Sequence, residues 1–480
     1  MTTDGAYYYY KTEENKNYEE TVLDLKQYTL DERIPVQWIL YDSWFYAKAN
    51  GTYLTYPTVC TIALTGSTTR TLRQRLGTDR KTPLDAGTAT GSGMMSPSHA
   101  ALNWSDADPA VFPSGLRSVY RATGWPVVAH ARAWASEKEG NVYAKADPQG
   151  WIESRDTTGE TIGLPVTAKF WDELFANARE WGCLQYQQDW MYTQASMEAM
   201  LTNATLSRLW HMQMTDALSR HGMRFGFGGV QPTDWLMSTE QQAVTNGRIS
   251  DDYHANLKDE GALNWNIGTA SIFGWALSVL PAKDGWWSTP DQPGHPYKDN
   301  RTEDLGALHA AVATLSRGPV SPADKIGLFN RSQIMRSCMD DGTLLSPDRP
   351  ALALDSSLLY RALHGVGPAA STSAALQRKA PSAEIWSTYS IVGGLAYRHI
   401  LVPLNREPYL LTLDELAEND GYGAAASGTS VVVENGADVA PTATVALAAE
   451  GSGGGVEVPI CDRNDFKLYH TVPLLPNGWG

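Results

Sequence analysis

The chain has 480 residues, 42% of them hydrophobic and 19% charged, and a formal net charge of -15. That length implies two or three domains, and the ordinary apolar fraction excludes a disordered chain. The acidic balance excludes nucleic acid as the main partner, because phosphate binding needs a basic footprint. No apolar run approaches the roughly 20 residues that cross a membrane.

The first residues, MTTDGAYYYYKTEENKNYEE, are polar and aromatic and lack the apolar core of a signal peptide. They read as the interior of a longer chain, with an upstream domain expected before them. Helix-like and strand-like stretches then alternate. YEETVLDLKQYTLDER has helical spacing and precedes the β-rich IPVQWILYDSWFY. PSGLRSVYRATG leads into WPVVAHARAW, and the amphipathic AKFWDELFANAREWG stops at Gly182 before CLQYQQDW. LSRLWHMQMTDALSRHG precedes MRFGFGGV, and STEQQAVTNG precedes RISDDYH. IGTASIFGWALSVL precedes PAKDGWW, and EDLGALHAAVATLSRG precedes PVSPADKIG.

This rhythm predicts an α/β protein whose residues 1–380 form a (β/α)8 TIM barrel. An open doubly wound sheet usually carries a Gly-rich turn after its first strand, and here that strand runs into YDSWFY. Residues 54–101, rich in Thr, Ser and Gly without sustained period, read as an insertion, a lid or sequence outside the native fold. From about residue 383 the runs EIWSTYSIV, GTSVVVENG and DFKLYHTVPLL predict a small C-terminal antiparallel β domain, a β-sandwich over 383–480.

Barrel enzymes carry their reactive groups at the C-terminal strand ends. Those ends supply Asp42, His130, Asp189, the pair Asp251 and Asp252, Asp284 and Asp324. Two carboxyl groups facing each other across a sugar can hydrolyse a glycosidic bond. Several converging on one point would instead hold a divalent ion, and an inert rim of solvated acids is the third reading. Arg248, ahead of Asp251 and Asp252, can bind a hydroxyl or keep a carboxylate ionised, although SDD is also a common turn sequence. No cofactor motif is present and no histidines have metal-ligand spacing. The four cysteines (Cys60, Cys183, Cys338 and Cys461) are scattered and read as isolated buried thiols. Seventeen tryptophans and 22 tyrosines suit sugar faces and large cores equally. Acceptor triplets for N-glycosylation at Asn50, Asn103, Asn203, Asn300 and Asn330 point towards a secretory compartment.

The runs LQYQQDW, RISDDYH, SRGPVSPADKIG, MDDGTLLSPDRPALALD and LYHTVPLLPNGW resemble raffinose synthases and their relatives among the family 36 glycoside hydrolases. The clan of that family includes the α-galactosidases, and the resemblance spans the chain apart from the insertion. It implies a retaining glycosidase acting on an α-glycoside, with Asp189 after the fourth strand as nucleophile and Asp251 after the sixth as acid/base. Asp252 exchanges with Asp251 if the register moves by one. The resemblance further implies that Asp42 binds a hydroxyl, with Trp44 as a stacking wall, although YDSW departs from the clan's DDGW-like pattern. Trp190 would shape the pocket, and Arg248 would clamp the substrate. Lys283, Asp284 and Trp286 of AKDGWW would also bind it. His130 either bonds a hydroxyl or is structural, and Asp340 and Asp341 shape turns. The implied partner is a carbohydrate. Transfer to a sugar hydroxyl, an inactive carbohydrate-binding barrel and a metal-dependent hydrolase stay open as alternatives.

Overall fold

The computed structural model describes residues 1–8, 11–49, 100–105, 111–157, 159–229, 231–255, 267–292, 302–364, 383–420, 429–435, 446–449 and 455–473. The expected insertion falls, up to residue 99, outside the described residues, as do Cys60, Asn50 and Asn300.

Six short strands form one parallel sheet in sequence order: β1 (Ile39–Tyr41), β2 (Val127–Ala131), β3 (Cys183–Gln188), β4 (Arg224–Phe227), β5 (Val244–Arg248) and β6 (Leu280–Ala282). Helices alternate with them, as parallel crossovers require. They run over Tyr18–Asp31, Leu116–Thr123, Ala168–Glu180, Leu206–Arg220, Pro232–Met237, Ile267–Ala276 and Gly306–Leu315. Local chemistry sets several ends. Asn17 and Glu20 form a reciprocal cap at the start of the first helix. The Ala168–Glu180 helix stops where Gly182 takes φ +87°.

The two edges of the sheet are joined by further extended segments. On one side Leu40 N donates to Met1 O (3.0 Å) and Thr3 N to Leu40 O (3.1 Å). Thr2 N in turn donates to Pro322 O (3.2 Å) and Ala6 N to Ala323 O (3.0 Å). Trp286, just beyond β6, forms a parallel bridge to Pro322. The result is a TIM-like α/β domain. One sequence expectation shifts: RIS was read as the start of a strand, yet β5 begins at Val244 and ends at Arg248. The backbone carrying Asp251 and Asp252 is therefore already loop.

A five-stranded sheet that the sequence reading did not anticipate grows from the C-terminal ends of β1 and β2. It takes Ala47–Lys48, Ala101–Asn103, Trp134–Ala135, Thr161–Pro165 and Trp151–Arg155 in that order. Trp134 is its core, edge-on to Tyr143, Trp151 and Phe170. Strands this short show little periodicity.

The C-terminal region is antiparallel. Leu352–Ala353, Ala383–Val392, Leu395–Asn405, Lys467–Pro473, Thr429–Asn435 and Ala446–Ala449 form one six-stranded sheet in that order. A two-stranded ladder, Tyr409–Thr412 with Gly455–Val458, packs on one face through Leu411 and Val458 against Ile385 and Ile400. The pairing of the six-stranded sheet begins at Leu352, about thirty residues before the boundary that composition suggested, because a two-residue strand carries no readable period. Trp386 seals the junction with the α/β domain. It lies against Gly268 of the Ile267–Ala276 helix, where a Cβ would strike its ring. Glu384 and Arg463, both nearly closed to solvent, pair with two bonds of 2.9 and 3.2 Å.

Gly182 joins the Ala168–Glu180 helix to β3, and a Cβ there would meet the Tyr120 ring. Gly182→Ala adds a disfavoured left-handed conformation to that clash and should cost about 2–4 kcal/mol of unfolding free energy in a denaturant titration. An unchanged midpoint would show that the turn relaxes freely.

Candidate active site

The site is built outward from the end of β3. Gln188 is fully buried, and its amide donates to the carbonyls of Arg132 (3.1 Å) and Asp189 (2.9 Å) while accepting from the Tyr186 hydroxyl (2.7 Å). That pins the backbone on which Asp189 stands. Asp189 Oδ1 accepts from Trp190 N (2.8 Å) and from Gly229 N, and Oδ2 accepts from His130 Nε2 (3.0 Å). Trp190 reaches its position by adopting φ +54°, a left-handed residue outside the strand. A Cβ on Gly229 would run into Asp189 Oδ1, and one on Gly228 would crowd the same residue.

Burial alone would raise the Asp189 carboxyl. The His130 bond and the charges of Arg248 and Arg132 outweigh it and hold the group well below the usual carboxylate range. The side chain nevertheless keeps 14% of its surface open. Asp42 lies near the same nitrogen of His130, with Oδ2 3.9 Å from Nε2. Burial raises its carboxyl too, but His130, Arg132 and the Ser43 N–H bring it below its ordinary value. Arg132 stacks over the Trp190 ring, its guanidinium carbon 4.2 Å from the centroid.

Arg248, at the end of β5, organises the facing half. Its Nη1 lies 2.6 Å from Asp252 Oδ1 and 3.4 Å from Asp284 Oδ2. Burial would lower this guanidinium, but Asp252, Asp284 and Asp189 together raise it well above its ordinary value. Asp284 also accepts from Tyr253 N (2.7 Å) and donates its own N–H to Ser250 Oγ (2.9 Å). The Tyr253 hydroxyl donates to the buried Glu303, which lies 3.5 Å from His309. The loop bearing Asp251 and Asp252 is thereby tied to the Gly306–Leu315 helix. Asp251 itself is exposed, and its Oδ1 accepts from Asp252 N (2.9 Å). No hydrogen bond or ion pair among the described residues joins it to Asp189.

Asp42, His130, Asp189, Trp190, Arg248, Asp252 and Asp284 therefore lie in one connected cluster. Two expected binding residues do not fit that role. Trp44 is 0% exposed, wedged against Tyr8 and Tyr18, and cannot be a stacking wall. Trp286 is likewise 0% exposed, because the strand-like bridge to Pro322 turns its ring into the core beside Trp287. His130, 1% exposed, has Nε2 on Asp189 and Nδ1 on the Tyr46 hydroxyl (3.2 Å), which leaves neither nitrogen for a sugar hydroxyl. Lys283 spends its ammonium on the carbonyls of Asp284 (3.2 Å) and Gly285 (3.0 Å), and burial lowers it to about 8. Asp340 and Asp341 are exposed, and Asp341 accepts from Thr343 N (2.8 Å) as a turn residue does. The described cysteines, Cys183, Cys338 and Cys461, are free. Among the described residues no group of three or more His, Cys, Asp or Glu is arranged to hold a metal.

Sequence reasoning missed Asp4, Arg132 and Tyr46. Burial, Asp42, Asp284 and Asp252 drive the Asp4 carboxyl well above its ordinary value, against the charge of Arg248. Its signal was legible in principle, as an acid followed by glycine after two threonines, but Met1–Thr3 was not read as a strand. A cavity lined by Gln185, Gln187, Asn246, Arg248 and Lys283 follows the inside of the sheet. It reaches Trp38 and Arg224 at the opposite strand ends, so it is the interior of the fold and not the mouth where Asp189 stands.

Asp324 stands apart from the cluster, fully buried, its Oδ1 accepting from Ser288 N (2.7 Å), Ser288 Oγ (3.0 Å) and Gln292 Nε2 (2.8 Å). Burial raises it from 3.8 to about 7 despite the Ser288 bonds. An acid raised on folding costs nothing below its unfolded value. The cost grows as pH rises between 3.8 and about 7, at up to about 1.4 kcal/mol per pH unit, and is constant above that window. Wild type should therefore lose stability relative to Asp324→Asn between pH 4 and pH 7 in denaturant titrations. Parallel pH profiles would contradict this.

No protein-family model and no curated protein matches the chain by sequence. Solved structures match it by shape. One is a proposed alpha-N-acetylgalactosaminidase from Bacillus halodurans, 12% identical, with a TM-score of 0.53 over 98% of this chain and 96% of that one. Another is alpha-galactosidase I from Mortierella vinacea, 12% identical, with a TM-score of 0.49 over 94% and 92%. The alpha-galactosidase of Saccharomyces cerevisiae, also 12% identical, gives 0.41 over 76% and 85%. These structure neighbours are glycoside hydrolases, and what the chain shares with the Bacillus structure is its fold, a TIM-like α/β domain followed by a β domain.

Proposed function

We propose that the protein is a retaining α-glycoside hydrolase of α-galactosidase type, with Asp189 as nucleophile and Asp251 as acid/base. The observation that carries this reading is Asp189 itself: a carboxylate kept ionised, with three donors fixing its two oxygens, yet still partly open at a strand end. That is the state in which a carboxylate attacks an anomeric carbon. Counting Met1–Thr3 as the first stave of a (β/α)8 barrel and residues 319–323 as the eighth makes β3 the fourth and β5 the sixth. This count supports the strand assignments that the resemblance implies.

Of the two adjacent acids, Asp252 is engaged by Arg248 at 2.6 Å, an arrangement that suits a hydroxyl acceptor. Asp251 pairs with no Arg or Lys among the described residues and is exposed, so its carboxyl stays open to a leaving oxygen. Asp42 and Arg248 would bind substrate hydroxyls. Trp190, supported by Arg132, would form an apolar wall. Hydrolysis and transfer share the glycosyl-Asp189 intermediate and differ in whether water or a sugar hydroxyl releases it.

Asp189→Asn should lower turnover of nitrophenyl α-galactoside by at least a thousandfold with the melting temperature retained, and proton NMR of wild-type product should show the α-anomer first. Asp251→Asn should slow a poor alkyl leaving group at least tenfold more than an activated aryl one. Dialysis against a chelator should leave the rate unchanged. Wild-type turnover in the Asp189 variant, or the β-anomer as first product, would overturn the reading.

A further inference from the structure

We infer that His130 is a catalytic residue of the second chemical step, holding Asp189 as the departing group, and that Tyr46 is the positioning residue that aims it. This rests on the reading of Asp189 as nucleophile. An ionised carboxylate only accepts hydrogen bonds, so the 3.0 Å contact fixes His130 Nε2 as the donor and Asp189 Oδ2 as the acceptor. At the other end of the ring, Nδ1 shares a hydrogen bond with the Tyr46 hydroxyl at 3.2 Å, and a hydroxyl can serve as either donor or acceptor. The two rings lie nearly parallel, 13° apart. Trp104 Nε1 donates to the His130 carbonyl at 2.8 Å and fixes the backbone. The imidazole is thus held at both nitrogens and at its main chain. The charged groups around it are Asp189, Asp42 and, through them, Arg132.

The chemistry then separates the two steps. In the first, an Asp189 oxygen forms a bond to the anomeric carbon, and the bond to the leaving oxygen breaks with its electron pair as that oxygen takes the acid/base proton. Asp189 becomes an ester, whose oxygens are poorer acceptors than those of the carboxylate. In the second, a water oxygen bonds to the anomeric carbon and gives its proton to the acid/base. The bond to Asp189 breaks, and its electron pair returns to the carboxylate. The His130 bond strengthens as that charge reappears, so it accelerates departure and gives no help to attack. His130 keeps its own proton throughout.

The test is steady-state and rapid-mixing kinetics on an activated aryl α-galactoside with wild type, His130→Leu, His130→Gln and Tyr46→Phe. His130→Leu removes the donor, so kcat and KM should fall together by roughly ten- to hundredfold while kcat/KM stays within a few fold. The denatured variant should carry one covalently bound hexose when quenched at steady state. His130→Gln keeps an N–H donor on a side chain of similar reach and should restore much of kcat. Tyr46→Phe should move kcat and KM in the same direction by a smaller factor. A fall in kcat at constant KM without trapped hexose, or no change in His130→Leu, would overturn this inference while leaving the proposed function standing. A wild type inactive on every aryl α-glycoside would overturn the proposed function first.

Discussion

An ionised carboxylate withdrawn from water costs several kcal/mol unless donors and cations replace what it loses. Asp189 is such a group, and much of the local architecture follows from keeping it charged and partly open. The backbone N–H groups of Trp190 and Gly229, the His130 ring, and the charges of Arg132 and Arg248 take the place of water. Each requirement leaves a mark on the chain: a left-handed Trp190, glycines at 228 and 229, and a buried Gln188 that bonds the carbonyls of Arg132 and Asp189.

The remaining charges fall into two sets that meet at Asp189 and also where Asp42 faces Asp4. On one side Asp42, His130 and Arg132 come from β1 and β2. On the other Arg248, Asp252, Asp284 and Asp4 come from β5, β6 and the first residues of the chain. Burial and the neighbouring acids push Asp4 and Asp284 above their ordinary values, and Arg248 opposes that rise without cancelling it. The Tyr253–Glu303 bond then matters for position, because it fixes the loop that carries Asp251 and Asp252 without adding a charge to the site. Fold stability and site geometry meet in the Met1–Ala6 segment. The same backbone bonds that join the sheet edges also bring Asp4 into the cluster.

The alternation of amphipathic helices with short β-rich runs was plain in the sequence, and the helices at Ala168–Glu180 and Leu206–Arg220 fall where their spacing puts them. Asp189 was legible because it closes an otherwise uncharged strand. Asp42 was legible as a polar residue at the end of an apolar run, and Arg248 by its place ahead of Asp251 and Asp252. What stayed hidden depends on contacts distant in sequence. The lodging of Trp44 and Trp286 in the core is decided by Tyr8, Tyr18 and the Pro322 bridge, none of which local periodicity reveals. The five-stranded sheet escaped because strands of two to five residues carry no usable period. Tyr46 and His130 meet from positions 84 residues apart.

The central claim is that Asp189, and no other acid of the cluster, bonds covalently to the sugar. An α-galactosyl donor fluorinated on its ring, with a highly activated leaving group, slows release of the intermediate enough to label the protein for peptide mapping by mass spectrometry. The account predicts a single label on the peptide that contains Asp189, absent from the Asp189→Asn variant. A label on Asp42, Asp251 or Asp252, or turnover by wild type with the intermediate never captured on any carboxylate, would contradict it.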